Sequence, residues 1–250
     1  MAINVNTVYQ TVLLILNKEQ RGYMTPTEFN SIGTQVQLEI FEKYFEDINQ
    51  QLRVPQTDTD YADRIESVDE KIAIFKTFAP ASYSTVGGLS YFTLPVVDSY
   101  GSQASVYKLG TVLYNNETQV QRVDRSDFYH INRSPLTKPT TSFPVYLYEN
   151  QYIYVKPITI ISLITVDYVR KPISPIWGFS VGTLGQYIFN SNNYDVTNEP
   201  TGSLNFEIHS SEQTELILKI LLYAGVVIKD PQIVQIAASQ IAQENQNQQR

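Results

Sequence analysis

Apolar residues recur at helical spacing along the first third of the chain. One set runs from Val5 to Leu16, and a second, backed by charged residues, follows Thr25-Pro26-Thr27-Glu28. These four residues are a typical helix start, because Thr can cap, Pro fits the first turn and Glu can bond back to Thr. A third set, from Tyr61 to Phe75, repeats the spacing. The pattern therefore predicts three helices within residues 1–79.

Beyond Pro80 the helical spacing gives way to short runs rich in Tyr, Val, Thr and Ile, separated by Gly, Pro and Asn. Such runs are typical of strands and turns. The clearest unit is 145–155, where two alternating segments flank a polar turn near Asn150, and 158–170 is predicted as the next strand. We expect an antiparallel, β-rich insertion over 80–205, folded as a sandwich or a small barrel.

Helical spacing returns near the end of the chain. Ser210 can cap a helix whose apolar stripe begins at Leu216, and Asp230-Pro231 precedes a shorter stripe and a polar, Gln-rich ending. The simplest fold is therefore α+β. The N-terminal helices (1–79) and the C-terminal helices (206–250) form one helical bundle, from which the β-rich part projects as an insertion.

Charge and hydropathy narrow the possible partners. The formal net charge is −7, and the basic residues form no cluster along the sequence. Tight DNA binding is not expected, because it depends on basic side chains that neutralise phosphates. DNA could still pass an acidic surface without adhering to it. Lys219 interrupts the best apolar run, so we also expect no membrane span, which would need roughly 20 apolar residues.

The residue types of common active sites are sparse. The chain has no cysteine, and neither of its two histidines, His130 and His209, has a metal-binding spacing. The glycine pairs lack the spacing of a phosphate loop, and the acidic run at 58–63 lacks the glycine that a calcium loop requires. We therefore predict a protein that is not an enzyme and that holds no metal and no cofactor.

Four tyrosines form a ladder along the predicted hairpin: Tyr146, Tyr148, Tyr152 and Tyr154. Aromatic faces stack on bases and sugars, which leaves open a receptor-binding or carbohydrate-binding tail module. Cross-strand aromatic pairs are also an ordinary way to stabilise a sheet or a subunit contact. We favour packing or subunit contact, and the helical share of the chain argues against the tail module.

Several short stretches are distinctive, and they bracket nearly the whole chain outside 80–146. They are 16–23, 37–41, 166–172, Pro175-Ile176-Trp177-Gly178, 205–212 and 221–226, together with the Gln-rich terminus. These stretches resemble virion structural proteins of crAss-like bacteriophages. The resemblance implies a neck component with the fold of phage tail-adaptor or connector proteins. It carries no catalytic signature.

The implied role is a ring, or head-to-tail adaptor, between the portal and the tail of a short-tailed phage. Such rings are homo-oligomers, typically twelve-fold, that line the channel for genome ejection. The implied partners are the portal protein and adjacent tail ring proteins, with phage DNA passing through without specific binding. The implied location is the virion, after synthesis in the cytoplasm of the host.

A ring needs two different complementary surfaces on each subunit, because its contacts are heterologous and closed. The candidate interface residues come from three places in the sequence. They are the four ladder tyrosines, Trp177 in the long segment after Pro172, and Ile233, Ile236 and Ile241 of the last apolar stripe.

Overall fold

The protein is a mixed helix and sheet protein, described here by a computed structural model. The structure describes residues 2–18, 23–51, 60–94, 106–195, 201–228, 235 and 238–243. These residues divide into two compact units. The first unit contains the described residues of Met1–Ile74 and Pro172–Arg250, and the second contains those of Phe75–Asp98 and Gln103–Lys171.

Three N-terminal helices confirm the prediction from apolar spacing: α1 (Val5–Lys18), α2 (Pro26–Gln51) and α3 (Asp60–Ala73). The capping box that begins α2 is present as expected. The Thr25 N–H donates to Glu28 Oε2 at 2.9 Å, and the Glu28 N–H donates to Thr25 Oγ1 at 3.4 Å. These bonds satisfy donors that the first helical turn would otherwise leave without partners.

Two more of the helices lie in different units of the chain. A short helical segment, α4, belongs to the second unit and spans Arg125–Arg133, whereas α5 (Gln213–Ile228) returns to the first. A 3-10 turn, Ser210–Glu212, leads into α5, so the capping residue is His209, whose Nδ1 accepts from the Ser211 N–H at 3.3 Å. The prediction that Ser210 caps this helix is wrong, because Ser210 is the first residue of the 3-10 turn that His209 caps.

The core of the first unit is the predicted bundle of N- and C-terminal helices. Helix α2 contacts both α3 and α5, and α1 contacts α5. The most deeply buried side chains of this bundle are Val8, Val12, Leu16, Val36, Ile40, Phe206, Leu216 and Ile220. Apart from Phe206, which precedes α5, these residues have the spacing of the apolar stripes seen in the sequence.

The described residues of the second unit form two β-sheets. The first sheet has the order β1 (Lys76–Pro80), β9 (Ile164–Arg170), β4 (Val106–Tyr114), β5 (Thr118–Gln119). The second has the order β2 (Ser82–Val86), β3 (Leu89–Thr93), β8 (Tyr152–Lys156), β7 (Val145–Glu149), β6 (Gln121–Arg122). Neighbouring strands are antiparallel except β6 and β7. One core takes side chains from both sheets, among them Val112, Val166, Phe92 and Ile153.

Two details of the second unit differ from the sequence prediction. The strand expected from Ile158 begins only at Ile164, because the preceding residues form a turn in which Leu163 has a positive φ of 63°. Helix α4 was not expected. It buries Phe128 against Val145 and Leu147, too few apolar positions to show a helical period.

A third, two-stranded sheet lies in the first unit. It pairs β10 (Phe179–Val181) with β11 (Tyr187–Phe189) in antiparallel register. This sheet lies within the predicted insertion, 80–205, yet its contacts group it with the helices. Hydrogen bonds of Trp177 with Asn6 and Asn30 account for this difference, because they join the segment after Pro172 to α1 and α2.

Candidate subunit-contact surfaces

The four ladder tyrosines occupy both faces of one hairpin. In the register of β7 and β8, Tyr146 lies opposite Val155 and Tyr148 opposite Ile153, whereas Tyr154 lies opposite Leu147 and Tyr152 opposite Glu149. Directly opposed residues share a face, and neighbours along a strand alternate. Tyr146 and Tyr148 therefore lie on one face and Tyr152 and Tyr154 on the other. They do not form one continuous stacking platform.

The two faces differ in their surroundings. Tyr146 is only 4% exposed within the shared core, and burial raises the pKa of its phenol, opposed by the nearby charge of Arg122. On the other face, the Tyr91 ring packs 4.5 Å from Tyr152 and 6.2 Å from Tyr154 between centroids. Tyr146 is fixed by packing inside its unit. Contact of the half-buried Tyr148, Tyr152 and Tyr154 with another subunit remains a prediction.

Trp177 is buried, and three hydrogen bonds hold its side chain and its backbone. Its indole Nε1–H donates to Asn6 Oδ1 at 3.0 Å. Its backbone N–H donates to Asn30 Oδ1 at 2.8 Å, and its backbone carbonyl accepts from Asn30 Nδ2 at 3.3 Å. The Asn30 amide thus bonds the Trp177 backbone as a neighbouring strand would. The predicted interface residue is an anchor of its own unit, and its contact with a partner remains a prediction.

A second amide on α2 makes a similar clamp. The Gln37 Nε2–H donates to the carbonyl of Ile173 at 2.6 Å, and Gln37 Oε1 accepts from the Glu207 N–H at 3.0 Å. Glu207 Oε2 in turn accepts from the Ile173 N–H at 2.8 Å. Gln37 is only 1% exposed. Two chain segments far apart in sequence are therefore joined on one helix face.

Sequence reasoning missed both clamps. Asn30 and Gln37 are seven residues apart, so they lie on the same face of α2 two turns apart. Polar residues on the buried face of an amphipathic helix need hydrogen-bond partners, and this pattern is the signal that could have found them. The segments they hold include Pro175-Ile176-Trp177-Gly178 and 205–208, both among the distinctive stretches.

The sheet of β10 and β11 is named the ribbon here, residues 179–189. It presents large apolar side chains to solvent, with Val181 63% and Leu184 91% exposed, and Tyr187 and Ile188 also exposed. At its base Phe179 and Phe189 pack against Trp177, with ring centroids 6.0 and 5.5 Å away. No Asp, Glu, Lys, Arg or His occurs in 172–194. The ribbon is therefore an uncharged apolar projection on a buried anchor.

The last group of predicted interface residues is mostly outside the described residues. Ile233 and Ile236 fall in the parts of the chain that the structure does not describe. Ile241 lies in the helical segment 238–243 and is half-buried. Its predicted contact with a partner remains a prediction.

A buried carboxylate, Glu215 on α5, lies between two lysines. Its Oε1 lies 3.1 Å from Lys43 Nζ and 3.3 Å from Lys219 Nζ, and the side chain is 7% exposed. Burial by itself would raise the pKa of Glu215, but the charges and hydrogen bonds of Lys43 and Lys219 outweigh it and lower this pKa. The ion pair therefore joins α2 to α5.

The lowered pKa of Glu215 predicts a pH dependence. A carboxyl whose pKa falls on folding stabilises the protein above its unfolded pKa of about 4.3, and this contribution is lost as the pH falls toward the folded pKa. We expect Glu215→Gln to lower the free energy of unfolding by about 1–3 kcal/mol at pH 7, since the half-buried Lys43 and Lys219 lose their ion pairs with Glu215. The difference from wild type should shrink below pH 4.

Urea unfolding of both proteins at pH 7, 5, 4 and 3 measures this dependence. Glu117→Gln, in an exposed turn, is the matched control and should leave the free energy of unfolding unchanged at every pH. A wild-type advantage over Glu215→Gln that stays constant down to pH 3 would contradict the assignment.

The remaining chemistry of the described residues is limited. Within them, no three His, Cys, Asp or Glu side chains lie close enough together to hold a metal ion. The helices of the described part also include none with the length and hydropathy to cross a bilayer. No family model matches the sequence, and no curated protein matches it.

Proposed function

We propose that the chain is a non-enzymatic virion protein that forms a homo-oligomeric ring in the portal–tail neck of a short-tailed bacteriophage. In this role it joins the portal to the tail and lines the channel for the genome. The observation that carries the proposal is the ribbon, an uncharged apolar surface held out on a buried anchor. The resemblance of the distinctive stretches to crAss-like phage neck proteins agrees with it.

The exposure of the ribbon favours a protein contact. Single apolar side chains on a surface are ordinary, but a cluster of them marks an interaction site. In 179–189, Val181 and Tyr187 are opposed on one face of the ribbon, Ile188 lies on the other face and Leu184 in the turn, so exposed apolar side chains occur on both faces. Covering them would remove apolar area from water at about 25 cal/mol per Å².

The anchoring of the ribbon favours a permanent structural role. Trp177 is fixed by side chains of α1 and α2, and the rings of Phe179 and Phe189 rest on it. A contact surface that is ordered before binding loses little conformational entropy on association. This suits a subunit that must enter a closed ring in one orientation.

The net charge agrees with a channel through which DNA slides. At −7 the chain repels phosphates more than it attracts them. A subunit that gripped DNA would need clustered basic residues, whose contacts make binding strong and salt-dependent. The partners in this proposal are therefore sister copies, the portal protein and adjacent tail rings, and the location is the virion.

The group of Tyr91, Tyr152 and Tyr154 favours a second candidate, a receptor-binding or carbohydrate-binding tail module. These rings are close together and half-buried, as in many sugar-binding surfaces. A glycan array with wild type and Tyr152→Ala tests it. The neck proposal predicts no glycan signal for either protein, and a signal lost in Tyr152→Ala would favour the tail module.

Native mass spectrometry is the main test of the neck proposal. The chain is measured alone, and then with the portal protein of the same virion. We expect a closed ring of one defined copy number, at the latest when the portal is present. A chain that stays monomeric and does not bind the portal contradicts the proposal, as does turnover of a substrate.

A further inference from the structure

We propose that neighbouring copies in the ring join edge to edge, the ribbon of one copy pairing with strand β2 of the next. The inference rests on the proposed function and names the two surfaces that its ring requires. An open strand edge offers main-chain groups that another strand can pair with, so the edges of the three sheets are the candidate surfaces.

Three of the sheet edges carry the protections that monomeric proteins use. Strand β1 has Lys76 at its first position and Pro80 at its last. Strands β5 and β6 are only two residues long, and β6 contains Arg122. Charges, proline and short length each discourage pairing with a foreign strand.

Strand β2 lacks these protections. Among the described residues it is an edge strand of five residues, Ser82-Tyr83-Ser84-Thr85-Val86, with neither charge nor proline. Val86 and Leu89, which flank the tight turn to β3, are 63% and 64% exposed. The whole segment 77–97 contains no Asp, Glu, Lys, Arg or His. In a chain with 17% charged residues, this edge is unusually free of charge.

The ribbon is the other edge without charge. Its two strands pair with each other and, among the described residues, with no third strand. A two-stranded sheet is marginally stable by itself, so an added strand would contribute to it. The ribbon strands are short, but their exposed apolar side chains give a partner more to bury than main-chain groups alone.

A second copy of this chain is the partner that fits both edges. Two copies with a net charge of −7 each repel, and like charges brought together at a contact cost free energy. The copies can approach most closely through surfaces that carry no charge, and both edges are of that kind. Because the two edges differ, pairing one with the other is heterologous and can continue around a ring.

Charged substitutions at each edge test the pairing. The ribbon variant carries Val181→Lys and Ile188→Lys, and the β2 variant carries Thr85→Lys and Val86→Lys, all at exposed positions. Each variant alone should self-associate about 100-fold more weakly than wild type, since a lysine buried in the contact has no counter-charge. Analytical ultracentrifugation over a concentration series gives the association constants.

Mixing the two variants gives the sharpest readout. The intact ribbon of the β2 variant can pair with the intact β2 of the ribbon variant. The two edges left free in this heterodimer both carry lysines, so it cannot add a further copy. We therefore expect one-to-one heterodimers and no ring, resolved by mass in native mass spectrometry. If β2 instead paired with β2, the ribbon variant alone would still form dimers and the inference would be overturned.

Controls separate folding and general charge effects from the contact. Leu136→Lys replaces a side chain that is 98% exposed and belongs to neither edge, and it should leave association unchanged. Circular dichroism and the Tm must match wild type for every variant. If a double variant does not fold, Val86→Lys and Val181→Lys singly replace it in the same mixing experiment.

The outcomes distinguish this inference from the proposed function. A wild-type ring whose assembly is unaffected by both edge variants overturns the edge pairing and leaves the neck proposal standing. A wild-type chain that is monomeric at every concentration also overturns the pairing. The binding of the portal, measured separately, then decides the neck proposal.

Discussion

Replacing Gly178 with alanine is expected to lower the free energy of unfolding by about 3 kcal/mol or more. A Cβ at this position would lie 2.1 Å from the Thr201 carbonyl oxygen and 2.4 Å from that of Gly202. Both are backbone atoms, so no side-chain rotation can relieve the overlap. The backbone at Gly178 would have to move away from the backbone of Thr201 and Gly202.

The separation would also break the hydrogen bonds at the base of the ribbon. The Gly178 N–H donates to Ser203 Oγ at 3.0 Å, and the Gly178 carbonyl accepts from the Asn190 N–H at 2.9 Å. Urea unfolding followed by the fluorescence of Trp177, the single tryptophan of the chain, measures the loss directly. We also expect the altered ribbon to assemble poorly.

Gly185→Ala is the matched control at the tip of the same ribbon. No atom lies within 4 Å of a Cβ built there, but the backbone has a φ of +80°. The only expected cost is the left-handed conformation of alanine, about 1–2 kcal/mol. If both substitutions had equal effects, close packing at Gly178 would not be the cause.

The second large effect is expected for Gln37→Ala, which should lower the free energy of unfolding by about 2–4 kcal/mol. The substitution removes both bonds of the amide, to the Ile173 carbonyl and from the Glu207 N–H. Each of these backbone groups would lose this hydrogen bond, and the loss of a bond to a buried donor or acceptor costs about 1–3 kcal/mol. The truncation also removes atoms of a side chain that is only 1% exposed.

Gln35→Ala is the control for this prediction. Gln35 is exposed on the same helix, and its amide bonds Glu39 Oε1 at 3.2 Å. Alanine there should change the free energy of unfolding by no more than about 0.5 kcal/mol. Equal losses for the two glutamines would show that the clamp of Gln37 does not stabilise the unit.

The clamps link stability to the proposed assembly. Asn30 and Gln37 hold the segments that lead into and out of the ribbon, so a change on α2 should also affect ring formation. Gln37→Ala should therefore lower both the free energy of unfolding and the extent of ring assembly. The lysine variants of the ribbon should instead affect assembly alone.

Local patterns in the sequence were sufficient to predict much of the secondary structure. Helices α1, α2 and α3 follow from apolar spacing, and the capping box at Thr25 follows from four consecutive residues. The hairpin of β7 and β8 turns at Asn150 and Gln151, both at positive φ, as its polar turn indicated. These features depend on residues close together in the chain.

The candidate site could be predicted only in outline. The segment around Trp177 was singled out by its length and composition, but the clamps that bury Trp177 were missed. The tyrosine ladder was predicted to serve in packing or subunit contact, but only the register shows that it is divided between two faces of the hairpin. The absence of charge from 77–97 and 172–194 is visible in the sequence, but its meaning depends on which strands are edges.

By itself, therefore, the sequence determined which segments become helices and strands, because short-range spacing, caps and turns decide those conformations. Only the tertiary structure decided that the described residues of 172–205 belong with the helices and that, within the described part of the chain, β2 and the ribbon are open edges. Those outcomes depend on partners far apart in the chain, such as Asn30 with Trp177 and Gln37 with Ile173, 147 and 136 residues away. Hydrogen bonds and strand order of this range leave no periodic trace in the sequence.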